Sequence, residues 1–322
     1  MERFLRLGRT ALSHYGLADA ALVHRSYLEN VLFEVRHTGR GVHASLRICR
    51  HDWDGATLRH EVAWLDALAA ETDLRVPRPM PTATGDAYCV VESPNVPGPR
   101  ACLLLGWVPG AHAPPDELTP SRMRAVGRLL ARLHGHAETF RLPPEHTPPR
   151  VDAATLREID HRENVATYFR RDADLVAFDR AIAAAVELMR DLGDGEQVAG
   201  IIHGDLHQRN YVFDEERVGA LDFETLQWGY YLYDLATTLS YLVPEFLGRV
   251  DPAPLRAALL EGYEALRRLP DDHERLLAVF SAYRVWIMAD WSSGSPRMLK
   301  LDWARRRLEA MPGQIRELLA GC

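Results

Sequence analysis

The chain has 322 residues, of which 47% are apolar and 26% are charged, and its formal net charge at pH 7 is −7. A chain of this length can bury a large core and is more naturally divided into two lobes than folded as one unit. The acidic balance argues against a nucleic-acid-binding protein, because affinity for the phosphate backbone depends on a concentrated basic surface.

The amino-terminal segment from Met1 to Leu17 carries arginines throughout and lacks the continuous apolar run of an export signal. No other segment approaches the roughly 20 apolar residues that span a bilayer, so we expect a cytoplasmic protein without a membrane partner. Lys300 is the single lysine of the chain, and no G-x-x-x-x-G-K-[ST] loop exists, which excludes a P-loop nucleotidase. Wide spacing of the cysteines argues against a disulfide framework or structural zinc: Cys49, Cys89, Cys102 and Cys322.

Two apolar runs flank a glycine-rich connection at 37–41 and predict a β-hairpin with strands at about 31–36 and 42–48. The two-residue period of the second strand places Arg47 on the face that points away from the core. Its side chains divide into Val42, Ala44, Leu46 and Ile48 on the core face, and His43, Ser45 and Arg47 on the other.

Apolar residues at four positions with helical spacing predict an amphipathic helix over 57–70, and this helix contains Glu61. The apolar run at 103–107 predicts a buried strand that ends in a turn. Further along, 199–202 is predicted to be a short strand, and 210–213 and 218–221 to form a second hairpin. Most of the remaining chain, 151–192 and 252–322, is predicted to be amphipathic helix.

The loop that follows the predicted strand 199–202 contains the most informative motif. Residues 203–210 read H-G-D-L-H-Q-R-N, and D-F-E follows twelve residues after Asn210. This pattern supplies a base, a neutral metal ligand and a second carboxylate, which is the apparatus for phosphoryl transfer from a magnesium nucleotide. The spacing H-x-D-x-x-x-x-N resembles the catalytic loop of protein kinases, and Asp222 stands where their D-F-G aspartate stands. The motif therefore predicts a kinase.

The variants H-G-D and L-D-F-E resemble the aminoglycoside phosphotransferase family, also called the phosphotransferase enzyme family. Three further segments are similar to it: Trp107–Gly110, Val126–His134 and Gly229–Ala236. The resemblance implies an α+β, two-lobed protein-kinase-like fold. We expect a small antiparallel-sheet N-lobe at 1–108 for the nucleotide, and a larger, mainly helical C-lobe at 109–322 with the catalytic loop, metal site and acceptor pocket.

The resemblance assigns roles within the catalytic motif. Asp205 is the expected catalytic residue, which accepts or orients the proton of the acceptor hydroxyl, while Asn210 and Asp222 are expected to hold Mg²⁺. His203 is expected to brace the loop. Asp234 lies at the start of a predicted helix, where it would cap free N–H groups and, by the resemblance, anchor the catalytic loop. Asp205 could be a cap and Asn210 and Asp222 simple turn residues, but the joint spacing of these three argues against coincidence.

The nucleotide, ATP or GTP, is expected to bind to the amino-terminal strands. By the resemblance Arg47 replaces the usual lysine on the phosphates, Ser45 packs over the base, and Glu61 pairs with Arg47, unless Glu61 is a solvated helix charge. The backbone near Leu105 and Trp107 would hydrogen-bond the base, although Trp107 could be core packing instead. No G-x-G-x-x-G precedes the first hairpin, so backbone amides at 26–30 are expected at the phosphates, with Ser26 alternatively a simple turn residue.

The candidate acceptor pocket combines acidic and aromatic residues, which favours a cationic or sugar-like acceptor. Aromatic residues at helical spacing are also typical of a core, and Glu224 could contact metal-bound water, substrate or neither. The candidates are Glu224, Trp228, Tyr230, Tyr231, Trp286, Asp290 and Trp291.

The sequence thus predicts a kinase that phosphorylates a hydroxyl of a small molecule, such as an aminoglycoside, a nucleoside antibiotic or an amino alcohol, in resistance or in metabolism. Two alternatives stay open: a bacterial stress-response protein Ser/Thr kinase, and a nucleotide-binding scaffold without catalysis. We expect a monomer or homodimer.

Overall fold

The computed structural model describes residues 1–143 and 146–322 and divides into two compact units. The first unit comprises Met1–Gly110, Leu142–Pro148 and Gly219–Glu224, and the second comprises Ala111–Arg141, Pro149–Val218 and Thr225–Cys322. The boundary that the sequence predicts after residue 108 lies two residues before the end of the first segment.

The short segment Gly219–Glu224 is grouped differently from the sequence prediction, which places it in the second lobe. The Ala220 N–H donates to the Arg75 carbonyl at 2.9 Å, and the Phe223 ring lies edge-on to Trp64 at 5.6 Å between centroids. Because a backbone hydrogen bond and a buried aromatic contact both join it to the first unit, Asp222 and Glu224 belong there.

The first unit is built on an antiparallel sheet. Its strands within the described residues are ordered β1-β2-β3-β6-β4, and β5 pairs with β6. Helix α1 precedes the sheet and α2 follows β3. The bounds are α1 Glu2–His14, β1 Ala21–Tyr27, β2 Val31–His37, β3 Val42–Ile48, α2 Gly55–Glu71, β4 Pro79–Met80, β5 Cys89–Val91 and β6 Arg100–Gly106.

Strand β3 follows the predicted alternation, since Ala44, Leu46 and Ile48 belong to the hydrophobic core of the sheet. Arg47 points to the other face, as predicted, but it is also buried, at 5% exposure. Glu61 of α2 hydrogen-bonds this side chain, so the face opposite the core is closed to solvent at Arg47, although His43 on the same face is exposed. The Asp54 carboxylate begins α2 by accepting from the Ala56 and Thr57 N–H groups.

The second unit is mainly helical, as predicted. Strands β7 and β10 pair antiparallel, and β8 and β9 form the predicted second hairpin with bounds shifted by one residue. The last two residues of β9, Gly219 and Ala220, are grouped with the first unit. The bounds are α3 Pro120–Thr139, α4 Ala153–Glu158, α5 Val165–Tyr168, α6 Asp172–Leu192, β7 Ala199–Ile202, β8 Tyr211–Asp214, β9 Arg217–Ala220, β10 Gln227–Tyr230, α7 Tyr231–Leu239, α8 Pro244–Leu247, α9 Pro252–Glu264, α10 His273–Gly294 and α11 Asp302–Leu319.

Helices α3 and α9 approach each other through glycine. A Cβ atom on Gly127 would lie 2.0 Å from the Leu259 carbonyl oxygen, and one on Gly262 would lie 2.1 Å from the Arg124 carbonyl oxygen. Both contacts are with backbone, so the helices can pack this closely only without side chains at these positions.

The α+β class is confirmed, with a small antiparallel sheet in the first unit and a larger helical second unit. In the described ranges 1–143 and 146–322, helices long and apolar enough to cross a membrane are absent.

Candidate active site

The catalytic loop of the second unit runs from the end of β7 to the start of β8. The Asp205 side chain is 26% exposed. The Asn210 amide nitrogen donates to the Asp205 carbonyl at 2.9 Å, which fixes the Asn210 side chain against the loop and directs its oxygen elsewhere. Asn210 itself is buried. The loop therefore presents one accessible carboxylate and one amide oxygen held in place.

Asp234 fastens the start of this loop. Its carboxylate accepts the His203 N–H at 2.9 Å and the Gly204 N–H at 2.7 Å. The predicted helix-capping role of Asp234 is wrong, because its oxygens accept from the catalytic loop and Tyr230 occupies the N-cap without a side-chain cap. Gly204 has φ +80°, and a Cβ there would lie 2.5 Å from the Thr225 carbonyl oxygen, so glycine is required at this turn.

A buried histidine extends this support. His134 Nε2 lies 3.2 Å from Asp234 and its Nδ1 lies 2.9 Å from the Tyr263 hydroxyl. Burial lowers the pKa of His134, whereas the hydrogen bonds from His134 and Gly204 outweigh burial and lower the pKa of Asp234. An ionised Asp234 only accepts, so neutral His134 donates a hydrogen bond from Nε2 and accepts one at Nδ1 from the Tyr263 hydroxyl. The chain Tyr263–His134–Asp234 ends at the catalytic loop.

Arg284 of α10 is a contact that the sequence analysis missed. Its guanidinium hydrogen-bonds the Asp205 carboxylate and also donates to the Tyr233 hydroxyl at 3.4 Å. Arg284 is 5% exposed, and its Nε has no hydrogen-bond partner among the described residues. The two paired residues are 79 positions apart and no motif surrounds Arg284, so no sequence signal indicated the pair.

His207 lies on the other side of the Asp205 carboxylate. Its Nε2 is 3.6 Å from Asp205 Oδ2, and its ring is 4.4 Å from the Tyr241 ring. Burial lowers the pKa of His207 to about 4, and nearby Arg284 also opposes its protonation. His207 is therefore neutral at pH 7, and Arg284 supplies the positive charge beside Asp205.

In the first unit, the predicted pairing of Arg47 with Glu61 is present. Arg47 donates from both terminal nitrogens to the Glu61 carboxylate, with one bond of 3.0 Å, and Glu61 is 1% exposed. The same guanidinium lies 3.9 Å from Asp222 Oδ1. The Asp222 side chain is 52% exposed and its φ is +60°, a left-handed conformation that is unusual for aspartate and common at functional sites.

Glu224 lies close to the same group. Its carboxylate accepts from the Asn30 amide nitrogen, and the Asn30 oxygen accepts the Arg50 N–H at 2.9 Å. Burial raises the pKa of Glu224, and the negative charge of Asp222 adds to this rise while Arg47 opposes it. Asn30, in the turn after β1, is a second residue that the sequence analysis did not single out.

The remaining nucleotide candidates take these positions. Ser26 lies within β1 and not in the following turn, which starts at residue 28. Ser45 Oγ lies 3.5 Å from the Leu105 carbonyl oxygen. The Trp107 ring stacks on His43 at 4.6 Å, and the Trp107 backbone N–H donates to the His43 carbonyl. Their roles toward a nucleotide stay predictions.

The buried carboxylate of Glu34 was also missed by the sequence analysis. Glu34 of β2 lies opposite Ser45 and is 1% exposed. Burial opposes its ionisation, but hydrogen bonds from Arg25, Arg36 and His43 outweigh burial and lower the pKa of Glu34 to about 2. The face that carries Ser45 is thus lined by an ionised cluster.

The predicted acceptor residues of the second unit are mostly engaged in packing. Arg150 lies over the Trp228 ring at 3.4 Å, and Tyr231 stacks on His134 at 4.7 Å. The Trp286 indole N–H donates to the His161 carbonyl at 3.0 Å, and Asp290 accepts from Asn164 at 3.0 Å. Tyr230 is buried and Trp291 is exposed. None of these contacts tests a role toward an acceptor, which stays a prediction.

The geometry of the catalytic loop agrees with a comparison of the chain with known families. A model of the phosphotransferase enzyme family matches residues 23–269. The chain belongs to this family. The family predicted from H-G-D and L-D-F-E is confirmed, and with it the prediction of a phosphotransferase.

Individual proteins resemble the chain at low sequence identity. The chain is 26% identical to a homoserine kinase of Sinorhizobium medicae (strain WSM419) over 236 residues, which cover 71% of this chain and 68% of that one. A microcompartment-associated aminopropanol kinase superposes with TM-score 0.78 at 24% identity, covering 98% and 96% of the two chains. The amicoumacin kinase hAmiN, solved with AMP-PNP, Ca²⁺ and Ami, gives 0.76 at 18% identity, covering 98% and 94%. The kinase-like phosphotransferase fold is confirmed.

Proposed function

We propose that the protein transfers the γ-phosphoryl group of a magnesium-bound ATP or GTP to a hydroxyl group of a small molecule. One observation carries the proposal. The Asp205 carboxylate is held by Arg284, its loop is fastened by Asp234, and 26% of the Asp205 side chain is still exposed. A carboxylate that is fixed in orientation and open to solvent suits a group that receives the proton of an acceptor hydroxyl.

The chemistry proposed for this chain is mainly positioning. Asp205 hydrogen-bonds the acceptor hydroxyl and takes its proton as the oxygen attacks, a contribution of roughly 10²- to 10⁴-fold in rate. Arg284 keeps the carboxylate in one orientation. Asp234 and His134 prevent the backbone of residues 203–204 from shifting, because each N–H donates to a fixed oxygen.

A magnesium ion, when bound, would neutralise charge on the phosphates during transfer. The available side chains fit it, since Asn210 offers an amide oxygen and Asp222 a half-exposed carboxylate, and Mg²⁺ commonly takes one or two protein ligands with water and phosphate oxygens. Arg47, oriented by Glu61, is proposed to hold phosphate oxygens in the role usually taken by lysine. Across residues 1–143 and 146–322, no cluster of three or more His, Cys, Asp or Glu residues forms an alternative metal site.

The names of the relatives support a small-molecule acceptor over a protein acceptor or a silent scaffold, since a homoserine kinase, an aminopropanol kinase and an amicoumacin kinase are all named for small compounds. An antibiotic acceptor would mean a role in resistance, and an amino-alcohol metabolite a role in metabolism. The cytoplasmic location and the monomeric or homodimeric state stay predictions.

The test is nucleoside diphosphate release by the full chain with Mg²⁺ and ATP or GTP, across homoserine, choline, aminopropanol, aminoglycosides, nucleoside antibiotics and a generic protein. We expect release that depends on a small hydroxyl compound and yields its phosphate ester. Phosphorylation of the added protein alone would favour the stress-response type of kinase. Nucleotide binding with no release in any mixture would favour the scaffold.

A further inference from the structure

Arg307 of α11 lies against aromatic rings and not against acids. Its guanidinium carbon is 4.4 Å from the centre of the Phe246 ring and 5.3 Å from that of Tyr241. These two rings stack on each other at 4.6 Å, so they form one platform. Arginine on an aromatic face keeps its N–H groups free at the edge of the guanidinium plane, where they can bind an anion.

The charge of Arg307 is poorly compensated. Among the described residues, no carboxylate oxygen lies within 4.0 Å of its guanidinium nitrogens. Burial lowers the pKa of Arg307, and the Arg284 cation lowers it further, while Tyr241 and the more distant Glu245 oppose the shift. A partly buried cation of this kind gains more from an anionic ligand than a solvated surface arginine does.

The platform borders the proposed base. The Tyr241 ring that supports Arg307 also contacts the His207 ring at 4.4 Å, and His207 lies 3.6 Å from Asp205. Arg284 hydrogen-bonds Asp205, whereas Glu245 acts on Arg307 only from beyond 4.0 Å. Within the part of the chain that the structure describes, Arg307 is therefore the cation of this group that no carboxylate contacts directly.

We propose that the acceptor is a small hydroxy acid, and that Arg307 binds its carboxylate while its hydroxyl group faces Asp205. This inference rests on the proposed function and names its substrate class. A planar guanidinium and a carboxylate can form two parallel hydrogen bonds, which would fix the distance between the bound acid and the base. A polycationic acceptor such as an aminoglycoside would instead place positive charge beside the Arg307 guanidinium, which reverses the cationic preference expected from the sequence.

The transferred γ-phosphate is a second anion that the Arg307 guanidinium could bind in place of an acceptor carboxylate. The two anions predict different effects of an Arg307 substitution. An acceptor carboxylate makes the effect of Arg307 depend on which acceptor is present, whereas a γ-phosphate makes it the same for all acceptors and visible in nucleotide affinity.

Three pairs of compounds that differ by the carboxylate test the proposal: L-serine and ethanolamine, L-threonine and 1-amino-2-propanol, and L-homoserine and 3-amino-1-propanol. We would measure their affinities for the full chain by calorimetry, with Mg²⁺ and AMP-PNP present. We expect the acid of at least one pair to bind about 10- to 100-fold more tightly than its amino alcohol, as for hydrogen bonds to charged groups. Arg307→Met should abolish this ratio and Arg307→Lys should retain part of it.

The matched control is Arg306→Met, because Arg306 is exposed on the same helix. It should leave the ratio unchanged. Equal affinities or no binding in all three pairs, or a ratio that Arg307→Met does not alter, would overturn the inference. So would an Arg307→Met variant that binds AMP-PNP more weakly by the same factor with and without acid, since that outcome assigns the γ-phosphate to Arg307.

Turnover with ATP separates this inference from the function on which it rests. Phosphate transfer to the amino alcohols as efficient as to the acids would preserve the proposed function and overturn the hydroxy-acid class. Arg307-dependent binding of an acid without phosphate transfer to any hydroxyl compound would support the binding site and contradict the proposed function.

Discussion

Arg47 of the first unit and Arg284 of the second are two buried arginines with different partners. Both hydrogen-bond a carboxylate, and the Nε of each lacks a hydrogen-bond partner among the described residues. The Glu61 side chain paired with Arg47 is 1% exposed, whereas the Asp205 side chain paired with Arg284 is 26% exposed. A carboxylate closed to solvent can only orient its arginine, but one that solvent reaches can also meet a ligand. We therefore propose that Glu61 orients Arg47 and that Arg284 positions Asp205 as a base.

The largest effect is expected from a substitution of Asp234, which holds the loop that carries Asp205. Asp234→Ala leaves the His203 and Gly204 N–H groups and His134 without their acceptor, and each unsatisfied buried group costs about 1–3 kcal/mol. We expect a loss of about 3–6 kcal/mol in the free energy of unfolding in urea, together with loss of turnover. Asp271→Ala, at a side chain that is 95% exposed, is the control. A loss below about 1 kcal/mol would show that the catalytic loop does not depend on Asp234.

The Arg47 and Glu61 side chains should be energetically coupled. Arg47→Met and Glu61→Gln should each cost about 3–5 kcal/mol of unfolding free energy, because each leaves or unbalances a buried charge. The double variant should lose clearly less than the sum of the two single losses, which is the signature of direct coupling. Strictly additive losses in a double-mutant cycle would contradict the pairing.

The neighbourhood of Asp205 should be visible in the pH dependence of stability. Burial lowers the pKa of His207 to about 4 in the folded protein, against about 6.5 when unfolded, so between these pH values mainly the unfolded chain binds this proton. Folding stability should therefore fall as the pH decreases from 6.5 to 4, by at most about 3 kcal/mol from this group. His207→Gln should flatten the curve in this window. Parallel unfolding curves for both proteins between pH 4 and 6.5 would show that His207 is not desolvated beside the base.

Substitution of Arg284 should have the smallest effect on stability and a selective effect on kcat. Arg284→Met should lower kcat by about 10- to 100-fold, the equivalent of one lost charge-assisted hydrogen bond, with less change in KM. Since solvent reaches Asp205, the unfolding free energy should fall less than for Arg47→Met. Arg284→Lys should recover part of kcat, and Arg275→Met, at an exposed arginine of the same helix, should match the wild type. An unchanged kcat, or a stability loss as large as that of Arg47→Met, would remove the distinction between the pairs.

The sequence predicts the first pair and not the second for a physical reason. Arg47 and Glu61 are 14 residues apart, on a strand and a helix whose periods are visible in the local pattern, and the family resemblance orders these elements. Asp205 is found through a contiguous motif. Arg284 lies 79 residues away on a helix that is buried on most sides, so local periodicity does not single out one of its faces.

Other differences have the same origin in tertiary contacts. Helix α1 is an exception: it was not predicted, although its five buried residues follow the helical period and the sequence shows that spacing. The buried Glu34 carboxylate accepts hydrogen bonds from three side chains, Arg25, Arg36 and His43, which lie on three different strands. Gly219–Glu224 joins the first unit through Arg75 and Trp64, which no motif marks as its partners.

The central claim is that Asp205 assists phosphoryl transfer to a hydroxyl group, and the direct test is the rate of phosphate-ester formation by the wild type and by Asp205→Asn. The isosteric amide keeps the size of the side chain and removes its basicity. With the best acceptor, we predict that the wild type forms ester and nucleoside diphosphate in equal amounts and that Asp205→Asn is slower by roughly 10²- to 10⁴-fold, at similar unfolding free energy. An Asp205→Asn protein that forms the ester at the wild-type rate would contradict the account.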